Sequence, residues 1–226
     1  MKSIFNEYGI TLNDKAVERF ETYYDLLVFY NAKFNLTAIT EKREVIVKHF
    51  VDSLLGADKI YKQSLIDVGS GGGFPAIPLK IFKENISLTM LEATKKKCDF
   101  LKEVINKLDL NETFIINGRA EDLAKDDSFR EKFDCCTARA VARLNTLSEY
   151  CLPFVKVGGK FVSYKGDSKE EVLEAKNAIK ILGGTLEEVK EYTLDGASRS
   201  LVVIKKVKST DKKYPRGNGK ERKNPL

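Results

Sequence analysis

The sequence predicts an α/β domain built on a doubly wound, mostly parallel sheet with helices ahead of it. Three observations lead there. First, short apolar runs recur from residue 64 onward: SLIDV (64–68), ISLTMLE (86–92), TFIIN (113–117), FDCCTAR (133–139) and GKFVSYK (159–165). Runs of that length and composition suit buried strands. Second, segments with apolar residues at helical spacing lie between them, and strand–helix alternation is how a parallel sheet covers both faces. Third, the first run passes into DVGSGGGFP (67–75). Inside a regular element each glycine would cost roughly 0.5–1 kcal/mol relative to alanine, so four in five positions form a loop with special backbone demands.

The elements follow in order. Asn13 caps a helix over residues 14–31, with Val17, Phe20, Tyr24 and Leu27 on one face. NLTAIT interrupts it, and a second helix spans residues 41–55, so residues 1–60 form a helical extension ahead of the core. AIPLKIF after the glycine loop reads as a helix. Thr94 caps another, whose buried face is Phe100, Leu101, Val104, Ile105 and Leu108, leaving Lys95, Lys96 and Lys97 to water. Asp167 or Ser168 begins a helix that runs to residue 182. TLEEVKEYTL and SRSLVVIKK, around DGAS, add two strands as an antiparallel edge and bring the sheet to seven. Residues 61–207 are thus the core domain, and 208–226 a basic tail.

Composition narrows the function classes. The chain has 226 residues, 42% of them hydrophobic, ample for one core. No apolar run approaches the roughly 18 residues of a membrane span, and MKSIFNEYGI is too polar for a signal peptide, so a cytoplasmic protein without membrane association is expected. Cysteines at 98, 135, 136 and 151 have no C-x-x-C spacing and His49 is the only histidine, so no metal site is expected. Cys135 and Cys136 sit inside a strand run, which favours buried packing over nucleophilic catalysis. Residues 205–226 carry nine Lys/Arg against Asp211 and Glu221, a net +7, whereas the rest of the chain carries −1. A polyanion such as RNA suits that tail; a solubilising tail is the alternative.

The glycine loop reads D-x-G-x-G-x-G across Asp67, Gly69, Gly71 and Gly73. A dinucleotide fingerprint would need glycine at 74, where Phe stands. Glu92 ends the second strand, where an acid accepts hydrogen bonds from both hydroxyls of an adenosine ribose, in NAD or in S-adenosylmethionine alike. GRAEDLA follows the third strand, and Ala120 and Glu121 stand where Rossmann-like methyltransferases, whose first motif the glycine loop resembles, commonly place adenine-binding residues. Arg139 and Arg143 flank AVA after the fourth strand, where Arg139 suits a cofactor carboxylate or an RNA phosphate.

These stretches, together with LLVFYNAKFNLTAIT, VKHFVDSLL, TARAVARL and the tail KYPRGNGKERKNPL, resemble the RsmG (GidB) family, the bacterial 16S rRNA guanine-N7 methyltransferases. The resemblance implies a Rossmann-like class I methyltransferase fold and S-adenosylmethionine as cofactor. It implies N7 of guanosine 527 in 16S rRNA as target, naked or within a pre-30S particle, and a monomeric enzyme. The family's cofactor contacts fall on Gly69, Phe74, Ala120, Glu121 and Arg139, joined by Gly71, Gly73 and Glu92 from the loop and strand end. Arg143 and the tail residues Lys212, Lys213, Arg216, Lys220, Arg222 and Lys223 are the RNA-binding candidates. Guanine N7 carries a free lone pair, so no catalytic acid or base is expected. One departure from the family pattern is Glu221, which stands where the tail usually has a second proline. Alternatives are a non-catalytic RNA-binding module, a methyltransferase of another RNA and an NAD-dependent oxidoreductase. Because the tail is far from the glycine loop in sequence, its loss is expected to leave cofactor affinity unchanged.

Overall fold

In the computed structural model, which describes residues 1–60 and 64–226, the apolar runs form one mixed sheet. The strands are β1 (Ser64–Val68), β2 (Ser87–Glu92), β3 (Thr113–Asn117), β4 (Phe133–Arg139), β5 (Val155–Lys165), β6 (Gly184–Leu194) and β7 (Ala197–Lys206). Their order, β3-β2-β1-β4-β5-β7-β6, reverses direction between β1 and β4, which opens a crevice at the carboxyl ends of those two strands. The pairs β1–β2, β1–β4, β2–β3 and β4–β5 are parallel, and β7 runs antiparallel to both β5 and β6. The expected strand positions hold, with β5 beginning at Val155 rather than at 159. The expected boundary after residue 60 adjoins residues 61–63, which lie outside the described residues.

Helices cover both faces. On one side lie α1 (Lys2–Glu7), α2 (Asp14–Asn31), the segment 42–54, α5 (Ala76–Phe82) and α6 (Lys95–Lys107), sharing a core of Phe5, Phe20, Tyr23, Phe50, Leu79 and Phe100. α1 was not expected; Phe5, wholly buried against Phe20, is what anchors it. Asn13 caps α2 as read, its side chain accepting from Ala16 N at 2.8 Å. Thr94 holds the cap position of α6 without a side-chain bond. The segment read as one helix is three: α3 (Lys42–Val45), a π-helical turn (Ile46–Val51) and α4 (Asp52–Leu54).

The opposite face carries α7 (Ala120–Leu123), α8 (Leu144–Cys151) and α9 (Lys169–Ile181) over Leu144, Leu147, Phe154, Phe161, Ala175 and Ile204. The four cysteines are buried thiols. No helix among the described residues is long and apolar enough to cross a membrane.

Residues 208–226, read as a basic tail, belong to the packed structure. They pack on this second face, with Tyr214 and Glu221 buried, and end near α10 (Lys220–Lys223). Arg130 holds them by donating to four carbonyl oxygens, those of Ala124, Thr210, Asp211 and Tyr214, at 2.8–3.1 Å. Lys206, wholly buried, donates to the Leu152 carbonyl and to Thr210 Oγ1 beside Glu131, and burial pulls its ammonium down to about 8.

Candidate cofactor and substrate cavities

The loop after β1 is built by its backbone. Gly69 and Ser70 N–H both donate to the Leu91 carbonyl, at 2.8 and 3.2 Å, tying the loop to the end of β2. Gly69, Gly71 and Gly73 have φ of +74°, +56° and +93°, left-handed values that a side chain resists. The three glycines differ in what else demands them. A Cβ on Gly69 would stand 2.7 Å from Val141 Cγ2, closing the crevice, whereas one on Gly71 would meet little. On Gly73 it would stand 2.6 Å from the Tyr23 hydroxyl and 2.7 Å from Ile77. Gly73 is therefore required by packing under the loop, and Gly69 by the open space above it.

Glu92 completes the loop. Its Oε2 accepts from Gly71 N at 2.9 Å and its Oε1 from Thr94 N at 2.8 Å, with the residue only 6% exposed. A carboxylate has about four lone-pair sites, so two remain for a pair of hydroxyls. Asp67, on β1 just before Gly69, is buried as well. Its Oδ1 accepts from Thr137 Oγ1 at 2.7 Å, its Oδ2 has no partner, and burial pushes its carboxyl up to about 7. The half-used carboxylate of Glu92 suits a bound group that carries donors. S-adenosylmethionine, with ribose hydroxyls and an amino group, fits that chemistry.

Two cavities open along the carboxyl edge of the sheet. The first, of about 450 Å³, brings together Gly69, Leu91, Ala93, Gly118, Arg119, Ala120 and Glu121. Leu91 and Ala93 bracket Glu92, whose carboxylate turns toward the loop. The second, of about 590 Å³, is lined by Ile39, Lys48, His49, Asp52, Arg139, Arg143, Tyr164 and Arg199 among others. Val141 lines both. Of the predicted residues, Gly69, Ala120 and Glu121 face the first cavity and Arg139 and Arg143 the second, while Gly71, Gly73, Phe74 and Glu92 lie on the walls of neither.

The second cavity is organised by the π-helical turn. That turn carries His49 and leads into Asp52, and both side chains meet Arg139: Nη1 donates to Asp52 Oδ2 and Nη2 to His49 Nδ1, each at 3.1 Å. Arg139 also lies over the Phe74 ring, 5.0 Å from its centroid, and the His49 ring stacks on Phe74 at 4.4 Å. An arginine can only donate, so His49 Nδ1 accepts and its Nε2 carries the proton, which goes to Thr37 Oγ1 at 2.7 Å. Burial and the adjacent Arg139 pull the imidazole down to about 3, leaving it neutral. Arg143, at the rim, is held by Glu174 at 2.7 Å.

Several residues of these walls carried no signal in the sequence. Val141, Tyr150, Asn218 and Gly219 line the first cavity, and Asp52 organises the second; Arg222, read as an RNA contact, also lines the first. Arg216, expected on RNA, is instead clamped on Glu149, with its backbone N, Nε and Nη2 all donating to that carboxylate at 2.8–3.2 Å. Lys212, Lys213, Lys220, Arg222 and Lys223 remain exposed.

The family model described as "GidB: rRNA small subunit methyltransferase G" matches residues 16–202. Ribosomal RNA small subunit methyltransferase G of Lactobacillus johnsonii is 48% identical over 228 residues, covering 97% of this chain and 95% of that protein. The protein of the same name from Thermoanaerobacter sp. is 50% identical over 226 residues, covering 97% and 94%. Among solved structures, a SAM-dependent methyltransferase from Aquifex aeolicus aligns with TM-score 0.55 and 16% identity, over 71% of this chain and 92% of that one. TYW2 of P. horikoshii, solved in complex with MeSAdo, aligns with TM-score 0.55 and 17% identity, over 68% and 61%. These likenesses are ones of fold, and the fold is the Rossmann-like class I methyltransferase fold.

Proposed function

The chain belongs to the rRNA small subunit methyltransferase G family, and on that premise we propose that it methylates N7 of a guanine in 16S rRNA, guanosine 527 by resemblance. The observation that carries this reading is the pair of cavities meeting at Val141, one suited to a nucleoside cofactor and one lined by cations. One chain supplies the walls described for both, which supports a monomer as the working unit.

When bound, S-adenosylmethionine supplies a methyl group activated by a positively charged sulfur. Gly69 gives room at the end of β1, Glu92 takes the ribose hydroxyls, and Ala120 and Glu121 face the adenine. Guanine N7 carries its own lone pair and would receive the methyl group that the cofactor would supply, with Gly69, Glu92, Ala120 and Glu121 holding that cofactor in place. No proton leaves the base, so no side chain has to accept one. His49 agrees with this, because both its ring nitrogens are engaged and it stays neutral. The guanine becomes cationic, and a neutral imidazole adds no charge against it. Arg139, fixed by Asp52 and His49, holds the wall between the cavities, and catalysis rests on alignment. Arg143 and the exposed tail lysines are suited to phosphates.

The test is chemical mapping of 16S rRNA after incubation with the protein and S-adenosylmethionine, using cleavage selective for N7-methylguanine. One new cleavage at a single guanine is expected. Methyl incorporation without such a cleavage would place the reaction at another atom and sink the N7 assignment.

A further inference from the structure

A tail that merely grips a polyanion should leave its cations free and its backbone open. Residues 214–222 depart from this, with Arg216 paired to Glu149 and Gly217 and Glu221 buried. Gly217, Asn218 and Gly219 have consecutive left-handed φ values of +77°, +58° and +74°. Glycine and asparagine are the residues that tolerate this conformation, so the RGNG sequence encodes a tight reversal. Arg216 anchors it on the buried Glu149. Glu221 staples it from inside: its carboxylate accepts from Gly217 N, and its carbonyl accepts from Thr146 Oγ1 at 2.8 Å. That is the work done at the position where the family pattern has proline.

The anchored reversal lies across the first cavity. Asn218, Gly219 and Arg222 line it together with Tyr150 of α8. The facing wall is Ala120–Glu121. We propose that Asn218 and Arg222 are cofactor-binding residues: the C-terminal strap completes the adenosine site, the amide of Asn218 pairing with the edge of the base and the guanidinium of Arg222 covering its face. An amide offers both donor and acceptor to a purine edge, and a planar guanidinium stacks on flat rings. The proposal rests on reading this cavity as the S-adenosylmethionine site, and it replaces the expectation that losing the tail leaves cofactor affinity unchanged.

Calorimetric titration of the full chain tests it, with S-adenosylhomocysteine and with 5′-methylthioadenosine, which lacks the amino-acid end. Arg222→Ala should weaken both by about ten-fold, and by the same factor, because the lost contacts lie on the shared adenosine part. Asn218→Gly keeps the left-handed backbone and should cost about five-fold on both. Arg222 and Asn218 are exposed, so both variants should unfold at the temperature of the unaltered chain. Unchanged affinity for both ligands in both variants would overturn the proposal, as would a loss confined to S-adenosylhomocysteine. If the unaltered chain binds neither ligand, the cofactor reading of the cavity falls first, and the proposal with it.

Discussion

Two glycine turns face one cavity and are held in opposite ways. The loop at 69–73 is fixed by its own neighbourhood: Gly69 and Ser70 N–H on the Leu91 carbonyl, Gly71 N–H on Glu92, Gly73 N–H on Ser70. The turn at 217–219 is fixed from a distance, by Glu149 and Thr146 of α8 and, upstream, by Arg130. The first turn finds its partners at the end of the very next strand, β2. The second finds its side-chain clamps far away in the chain, and its robustness depends on those few partners.

The contrast can be broken from either side, and the largest effect is expected at the first turn. Gly69→Val would drive a branched side chain toward Val141 at a left-handed φ, and S-adenosylhomocysteine binding should fall below detection by calorimetry. Full affinity in a folded variant would show that the loop does not need its open crevice. Next comes Glu149→Ala, which strips three donor groups of Arg216 of their acceptor. Thermal or urea unfolding should show a loss of about 2–3 kcal/mol, the range for hydrogen bonds to a charged group. A loss no larger than for an exposed alanine substitution would mean the strap is not clamped.

A smaller effect is expected from Asp67 under the loop. Its folded carboxyl is raised from 3.8 to about 7, so between those values the unfolded chain has released the proton that the folded chain keeps. Stability from this group is full below about 3.8 and is lost as pH rises toward 7. Asp67→Asn should flatten that part of a stability–pH curve, and an identical slope in both proteins would refute the shift. The smallest effect sharpens the division of labour in the tail. Replacing exposed Lys212 and Lys213 by Gln should reduce the slope of log rRNA affinity against log salt by roughly 1–2 units. No change would remove them from the RNA contact.

The same contrast explains what could be read without coordinates. Each strand of the parallel core is a self-contained apolar run, and the glycine loop with Glu92 is a contiguous pattern with a fixed spacing, so sheet, switch point and loop were legible. Helix α8 was not, because its buried face includes Thr146, Ser148 and Glu149, residues that read as solvent-facing until their partners in the strap are known. The strap itself looked like loose charge, since Arg216 has the same letter whether it meets phosphate or Glu149. The π-helical turn was hidden as well: VKHFV scans as ordinary helix, and only Arg139 arriving from β4 shows why His49 and Asp52 must share one side.

A polypeptide leaves the ribosome from its N-terminus, and Arg222 emerges long after Gly69. The strands through β7 can pair while the cavity still lacks its outer wall, so a sheet-forming chain and a ligand-competent one are separate stages in the life of each molecule. Closure couples segments about 150 residues apart, the kind of long-range contact that forms late in folding.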